Sequence, residues 1–289
     1  MLYLGAPIWS NKAWVGSFFP PGTKQKDFLW LYSRRLNTVE GNTTFYATPS
    51  AEIAARWRDE TPPGFKFCFK FPRTITHDHR LRGAEAETAE FIERLAILGD
   101  RVGPCFLQLP PSFGSADMPA LLGYVDSLPP LPETAWRLAV EVRHADFFGT
   151  PAEASLSDAL RERGLARVLY DQRGLRSASP ADPRTRSAQA RKPDLPVRFT
   201  RTGPLAFVRY ISHPDLEANG PLLDEWAAHV AEWLRAGDDV FFFCHHRNDV
   251  YAPRLARQFH EHLSRLIDLP PLPDWSEEPP GEMQQATLF

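Results

Sequence analysis

The stretch FKFCFKF, residues 65–71, alternates phenylalanine with lysine or cysteine at every second position. A period of two predicts a β-strand, because successive side chains point to opposite faces of a sheet. Lys66, Cys68 and Lys70 therefore share one face of the predicted strand, and the four phenylalanines share the other. The phenylalanine face is the one that we expect to pack against helices.

Similar short runs, rich in β-branched or aromatic residues, recur along the chain and have the length of strands. The eight predicted strands are 2–5, 38–42, 65–71, 104–109, 138–142, 166–171, 205–210 and 240–244. Segments with helical spacing of apolar residues separate most of them, at 24–36, 50–59, 85–98, 118–127, 156–163, 222–235 and 252–267. The Ser/Arg/Pro-rich stretch 172–201 lacks this spacing and predicts a long loop with at most a short helix.

Strands that alternate with helices predict a parallel sheet. Eight such units over about 265 residues match a closed (β/α)8 TIM-type barrel, whose typical length is about 250 residues. The alternative is an open doubly wound sheet. We favour the barrel because no glycine-rich phosphate loop follows any of the predicted strands.

The composition places the chain among ordinary globular proteins. Of its 289 residues, 43% are hydrophobic and 24% are charged, which excludes wholesale disorder. The formal net charge of −3 excludes a globally basic nucleic-acid-binding protein and leaves room for a local basic patch. The intensely apolar run 240–244 is far shorter than the about 20 residues that span a bilayer.

The three cysteines, Cys68, Cys105 and Cys244, lie in apolar strand-like runs and show no metal-binding spacing. We expect buried, reduced thiols and hence a cytoplasmic protein. The first residues, MLYLGAPIWS, lack a basic segment followed by an apolar one, so no secretory signal is expected. The 28 prolines fall mostly between the periodic segments and mark loops.

Two regions are predicted, a barrel over 1–267 and a flexible, acidic, proline-rich tail over 268–289. The tail ends in QATLF, residues 285–289, which resembles the short motif by which bacterial proteins dock on the DNA-polymerase sliding clamp. An extended peptide of this kind would bury Leu288 and Phe289 in an apolar groove while Gln285 sets the register. The alternative is an ordinary frayed terminus.

Period-two alternation also predicts which polar side chains point into the barrel at the carboxyl ends of the strands, where barrel enzymes place their chemistry. A barrel interior otherwise favours aliphatic side chains, and unpaired charges there are costly. Trp9 and Trp14, in the loop after the first strand, are candidate aromatic walls of a ligand pocket. The predicted inward polar set is Asn42, Lys70, Gln108, Glu141, Arg143, Asp171, Arg209 and His245.

Lys70, Arg143 and Arg209 would make such a pocket cationic and suited to a phosphate, a carboxylate or a nucleotide fragment. Glu141 or Asp171 is the candidate base, and Lys70 the electrophilic or proton-donating partner. The same residues could instead pair with one another in a closed ion network that has only a structural role.

A metal site is the weaker interpretation, and no cofactor is expected. His245, His246, Glu141 and Asp171 offer suitable donor atoms, but adjacent histidines on a strand point to opposite sides. Covalent catalysis by a cysteine or serine has little support, since Cys68 and Cys244 lie among phenylalanines and no GxSxG motif occurs.

Several blocks resemble the YecE-like family, known as domain of unknown function 72. They are GAPIWSNKAWVGSFFP (5–20), VEGNTTFYATPS (39–50), TPPGFKFCFKFPRTITH (61–77), GPCFLQLPPSF (103–113), LAVEVRHADFF (138–148), FVRY (207–210) and FFFCHHRNDVYAPRLARQF (241–259). The resemblance implies a TIM barrel and supplies no activity. The family's characteristic residues correspond here to Trp9, Trp14, Glu40, Asn42, Thr44, Phe45, Tyr46, Lys70, Gln108, Glu141, Arg143 and Arg209, which adds Tyr46 to the expected ligand contacts.

The sequence therefore predicts an acid/base or hydrolytic enzyme that acts on an anionic phosphate- or sugar-containing substrate, recruited by its tail to the sliding clamp and so to DNA repair. The alternative is a non-catalytic barrel that binds a small anion or acts as an adaptor.

Overall fold

A computed structural model describes residues 1–129 and 137–275. Its eight parallel strands are β1 Leu2–Ala6, β2 Thr38–Gly41, β3 Lys66–Phe69, β4 Cys105–Gln108, β5 Leu138–Glu141, β6 Ala166–Asp171, β7 Leu205–Ile211 and β8 Asp239–His245. Within the described ranges the α-helices are α1 Phe28–Tyr32, α2 Ala51–Glu60, α3 Glu85–Ala96, α4 Met118–Asp126, α5 Pro151–Glu162, α6 Arg173–Ser177, α7 Pro183–Arg191, α8 Gly220–Arg235 and α9 Ala252–Ser264.

The strands form one sheet in the order β3-β2-β1-β8-β7-β6-β5-β4, which curls until its two edges meet. Isolated parallel bridges, Phe67 to Val102 and Lys70 to Phe106, join the β3 edge to the β4 edge. The Phe71 amide donates to the carbonyl of Phe106 at 3.0 Å across the same junction. The result is a nearly closed TIM-type barrel, as the alternation of strands and helices predicted.

Two apolar layers flank the strands. Phe67, Phe69 and Val208 face the helices in the larger layer. Cys68, Phe106 and Phe207 fill the barrel interior together with Phe241 and Phe243. The period-two assignment of the phenylalanine-rich β3 is confirmed, because its phenylalanines lie on the helix side and Cys68 lies inside.

The segment predicted as a long loop contains two helices, α6 and α7, so that prediction was wrong. Asp182 caps α7 by accepting a hydrogen bond from the Thr185 amide at 2.7 Å, and Pro183 occupies its first turn. Both are helix-start signals that a search for apolar periodicity alone does not detect.

The polypeptide remains packed on the barrel beyond residue 267, where the tail was expected to begin. Trp275 is only 7% exposed, stands edge-on to the Phe18 ring at 5.1 Å and stacks against the Arg257 guanidinium at 4.0 Å. Gln285, Leu288 and Phe289, the predicted clamp contacts, lie outside the described residues. None of the helices described in the structure combines the length and the apolar character that a bilayer crossing requires.

Candidate active site at the barrel rim

The carboxyl ends of the strands carry a connected set of polar side chains, here called the rim network. Each member lies on the inner face of a strand or directly after one, where the parallel strands bring successive carboxyl ends side by side. Glu40 and Glu141 are fully buried, and the exposed fractions of Arg209 and Lys70 are 6% and 7%. The rim network consists of Glu40, Asn42, Lys70, Gln108, Glu141, Arg143, Arg209 and His245.

Arg209, on β7, lies at the centre of this network between two carboxylates. Its Nε and Nη2 atoms donate to Oε2 and Oε1 of Glu40, each at 2.7 Å, in a two-point contact. Its Nη1 atom donates to Oε2 of Glu141 on β5. Charge-assisted, bidentate pairs of this kind are among the strongest side-chain contacts in proteins. Arg209 therefore fixes β2, β5 and β7 relative to one another across the barrel.

Further contacts occupy most of the remaining oxygen lone pairs of the two carboxylates. Asn42 Nδ2 donates to Glu40 Oε1 at 2.7 Å, and His245 Nε2 lies 3.1 Å from Glu40 Oε2. Oε1 of Glu141 accepts from Arg143 Nε at 2.6 Å. It also accepts from the amide of Gln108 at 2.9 Å. Each oxygen of Glu40 thus has two partners, whereas Glu141 Oε2 accepts only from Arg209 among the described residues and keeps one free lone pair.

Neighbouring positive charges explain why the carboxyl groups of Glu40 and Glu141 stay ionised. Burial alone raises the pKa of Glu141, but Arg143 and Arg209 outweigh burial and lower that pKa to about 2. The Glu40 carboxyl likewise has its pKa lowered well below the usual range, because Arg209 and His245 overcome the effect of burial. A base with so low a pKa is weak at neutral pH, so the geometry disfavours Glu141 as the general base.

Lys70, at the end of β3, is the ionisable group of the network with no carboxylate within 4 Å in the described part of the chain. Its Nζ atom donates to Gln108 Oε1 at 2.6 Å and lies 3.2 Å from the centre of the Phe45 ring. Burial, reinforced by the positive charges of Arg209 and Arg143, lowers the pKa of Lys70 to about 7. A substantial fraction of this side chain is thus a free amine near neutral pH.

Lys192 is a rim residue that sequence reasoning missed. It directly follows α7, and its carbonyl accepts a hydrogen bond from the Arg176 guanidinium, which fixes the backbone there. Lys192 is half-buried, and burial together with the nearby charges of Arg209 and Arg143 lowers its pKa to about 8 against the opposite effect of Asp249. No hydrogen bond or ion pair of its ammonium occurs within 1–129 and 137–275. No motif marks this position, because only the fold brings the α6–α7 segment over the barrel mouth.

Tyr170, on β6, was also missed. Its hydroxyl is buried and has no hydrogen-bond partner among the described residues. The guanidinium carbons of Arg143 and Arg209 lie 5.5 Å and 5.9 Å from the centre of its ring. Burial raises the pKa of this phenol to about 12, so the hydroxyl remains a hydrogen-bond donor at neutral pH. A buried polar group without a partner is uncommon and is a feature of ligand sites.

The side chain of Asp171, predicted as an inward catalytic base, points the other way, and that assignment was wrong. Its Oδ2 atom accepts from the Trp226 indole of α8 at 2.7 Å, and its Oδ1 atom accepts from the Arg173 amide at 2.9 Å. Both faces of β6 are buried, so alternation of polarity could not identify the inner one. Ala166, Val168 and Tyr170 are the residues of β6 that face inward.

The two tryptophans expected as pocket walls lie in the layer between strands and helices. Trp14 is fully buried, and its indole donates to the carbonyls of Asp249 and Val250 at 3.1 Å and 3.0 Å. Trp9 packs edge-on against Trp57 and Phe67. Both were misplaced because an aromatic residue near a strand end serves a core as readily as a ligand pocket. Tyr46, in contrast, is 82% exposed beside Phe45 and is available at the rim.

The adjacent histidines at the carboxyl end of β8 diverge, as period-two geometry requires. His245 turns inward to Glu40, whereas His246 turns away, with Nδ1 2.7 Å from Asn248 Oδ1 and Nε2 3.1 Å from the Pro214 carbonyl. Across residues 1–129 and 137–275, no group of three or more His, Cys, Asp or Glu side chains has the arrangement of a metal site. The metal interpretation thus finds no support in this geometry.

The fold and this rim define a class of protein, a (β/α)8 barrel with buried, paired carboxylates at the carboxyl ends of its strands. Beside them lie two lysines that have no carboxylate within 4 Å among the described residues. The chain belongs to the family described as protein of unknown function DUF72, whose model matches residues 3–277. It is 36% identical over 290 residues to UPF0759 protein YecE of Escherichia coli K12, with 100% of both chains covered.

Solved structures of the family share the fold. A DUF72 family protein of Enterococcus faecalis V583 superimposes with a TM-score of 0.69 at 17% identity, covering 95% of this chain and 100% of that one. A DUF72 family protein of Thermotoga maritima MSB8 gives a TM-score of 0.67 at 23% identity, covering 91% and 99%. The expected family and barrel fold are therefore confirmed.

Proposed function

We propose that the rim binds a small anion, a phosphate or a carboxylate, and performs acid/base chemistry on the molecule that carries it. The observation that carries this proposal is the imbalance of charge at the rim. The carboxylates of Glu40 and Glu141 neutralise the guanidiniums of Arg209 and Arg143. Lys70 and Lys192 lie beside these guanidiniums and have no carboxylate within 4 Å in the described part of the chain, although Asp249 acts on Lys192 from farther away.

An anion would bind between these lysines because it supplies the negative charge that they lack. Burial and neighbouring cations now oppose the protonation of both amines. A phosphate or carboxylate reverses this effect and would be held by charge-assisted hydrogen bonds. The Tyr170 hydroxyl, which has no partner in the described residues, offers a further donor.

Within this proposal Lys70 replaces Glu141 as the group that transfers a proton. A general acid or base works best when its pKa is near the working pH, and the pKa of Lys70 is about 7. Glu141 then has a positioning role, since it holds Gln108, Arg143 and Arg209. Glu40 does the same for the other end of the Arg209 guanidinium.

The test is calorimetric titration of the full chain with inorganic phosphate at pH 6.5 and low salt. Lys70→Met and Lys192→Met should each weaken binding by about tenfold or more, as expected for loss of one charged contact worth roughly 1.5–3 kcal/mol. Lys66→Met is the matched control, because Lys66 lies on the same strand at the opposite end of the barrel and bonds the Asp100 carbonyl. Equal affinities in all four proteins would refute the proposal.

The non-catalytic alternative, an anion-binding or adaptor barrel, shares the same site and differs in turnover. A screen over phosphoesters, sugar phosphates and abasic DNA separates the two functions. Turnover that Lys70→Met abolishes and Lys66→Met retains supports the enzyme. Tight binding without turnover of any member of the screen supports the alternative.

We also propose that the tail docks on the DNA-polymerase sliding clamp through Gln285, Leu288 and Phe289, which would place the barrel near replicating or repaired DNA. The support is the QATLF sequence at the end of an acidic, proline-rich segment. The cytoplasm is the proposed location, since Cys68, Cys105 and Cys244 are buried and free.

A further inference from the structure

Lys70 is a buried amine with no carboxylate within 4 Å among the described residues, and a desolvated lysine of this kind can act as a nucleophile. Its Nζ atom lies between the Gln108 amide oxygen at 2.6 Å and the face of the Phe45 ring at 3.2 Å. A neutral amine keeps the hydrogen bond to Gln108, since it still has N–H groups to donate, and its lone pair remains free, whereas the face of the Phe45 ring attracts the protonated form. The side chain is 7% exposed and lies at the carboxyl end of a barrel strand, where substrates enter.

We propose that Lys70 forms a Schiff base with a small aldehyde or ketone that carries a phosphate or carboxylate group. This inference rests on the proposed anion site and names the substrate class of that same site. Desolvation and neighbouring cationic groups are the features that activate a lysine for attack on a carbonyl. Lys70 has both features, because it is buried and the positive charges of Arg209 and Arg143 act on its amine.

The reaction balances without any oxidant, reductant or cofactor. The Nζ lone pair adds to the carbonyl carbon, and one amine proton passes to the carbonyl oxygen, which gives a carbinolamine. The carbon–oxygen bond then breaks, the oxygen leaves as water with a second proton, and a carbon–nitrogen double bond remains. One amine and one carbonyl thus yield one imine and one water. The iminium form can withdraw electrons from the neighbouring carbon.

The anionic group of the substrate has its own binding partners at the rim. Lys192 has no partner for its ammonium in the described ranges, and the Tyr170 hydroxyl is a buried donor that is likewise unpaired there. Arg143 lies against the Tyr170 ring and donates only its Nε atom to Glu141. The site would thus have two functions. These donors would hold the anionic group, and Lys70 would attack the carbonyl.

The experiment traps the imine by reduction. The full chain is incubated at pH 7.5 with dihydroxyacetone phosphate or with pyruvate and treated with sodium borohydride. Comparison of the two compounds shows whether the site prefers a phosphate-bearing or a carboxylate-bearing substrate. Intact mass and peptide mapping should show one adduct per chain on Lys70, formed at least about tenfold faster than on any surface lysine, because an amine of pKa about 7 has a far larger free-base fraction than one of pKa about 10.4.

The controls ensure that the conclusion does not depend on a single variant. Uncharged dihydroxyacetone should label Lys70 more slowly than its phosphate, Lys192→Met should remove that difference, and Lys66→Met should label normally. Peptide mapping locates the adduct in the unmodified sequence, so the result does not require Lys70→Met to fold. Adducts spread over surface lysines, or placed on Lys192, would overturn the Schiff-base inference.

Phosphate titration of the same preparation distinguishes failure of the Schiff-base inference from failure of the proposed anion site. If phosphate binds at the rim and borohydride traps nothing on Lys70, the Schiff-base inference is wrong and the anion site stands. If phosphate does not bind and no Lys70 adduct forms, both are wrong.

Discussion

Replacing Glu40 by glutamine should destabilise the barrel strongly, because it removes one charge from the centre of the rim network. Glu40 is fully buried and accepts from Asn42 and from two nitrogens of Arg209, with His245 close by. In Glu40→Gln the side chain keeps its shape, but its amide nitrogen must face donors that already point at it. Arg209 then has only Glu141 as a carboxylate partner among the described residues.

Removing one partner of a buried ion pair costs about 3–5 kcal/mol, since the remaining charge is left in a poorly solvated place. The whole free energy of unfolding of a protein is roughly 5–15 kcal/mol, so this is a large fraction. With an unfolding entropy of about 2.1 cal/mol/K per residue, a 289-residue chain should lose about 5–8 °C in its melting temperature. Urea unfolding monitored by tryptophan fluorescence, together with calorimetry, measures both quantities.

The matched control is Glu225→Gln. Glu225 pairs with Arg173 at 2.5 Å, but the two side chains are 38% and 34% exposed, and exposed pairs contribute roughly 0–1 kcal/mol. The same substitution thus removes the same kind of charge from a solvated place. A Glu40→Gln protein as stable as the control would refute the argument that burial makes the rim network costly to break.

Two further outcomes are expected from the same geometry, and a third is expected from the sequence of the tail. Asp171→Asn should lower the free energy of unfolding by about 1–3 kcal/mol, because it disturbs the acceptors of Trp226 and Arg173, and should leave phosphate affinity unchanged in calorimetry; a lost affinity with intact stability would return Asp171 to the site. The folded-state pKa of Lys70, about 7, lies below its ordinary value of 10.5, so the unfolded state binds more protons between these two pH values. The contribution of Lys70 to the free energy of unfolding should therefore rise by roughly 2 kcal/mol from pH 7 to pH 9. The difference in urea stability between the unmodified protein and Lys70→Met should show that rise, and a flat difference contradicts the shift. Deletion of residues 285–289 should abolish capture by immobilised sliding clamp, and capture that survives the deletion, or that the full chain never shows, rejects the docking proposal.

The eight-fold alternation of strands and helices could be predicted from the sequence, because local periodicity and proline-marked loops set it residue by residue. The inner faces of β2, β3, β4, β5, β7 and β8 were also predictable, since each alternates polar with apolar residues at its carboxyl end. Glu40 shared the inward face assigned to its strand, yet its role as the main partner of Arg209 was not foreseen.

On β6 the same reasoning failed for a physical reason. Arg167 and Asp171 face outward, where Glu153 of α5 and Trp226 of α8 satisfy them. A strand that is buried on both faces and has polar partners on its outer one carries no polarity signal for its orientation.

The sequence by itself determined the barrel and the kinds of charge at its rim, because strand periodicity and residue chemistry are local properties. Only the tertiary structure decided which charges neutralise one another, since Glu40 and Arg209 are 169 positions apart and meet only when the barrel closes. It also brought Lys192 over the mouth and left Lys70 without a carboxylate in the described structure. Protonation in a buried site depends on these distant neighbours, and therefore on the fold.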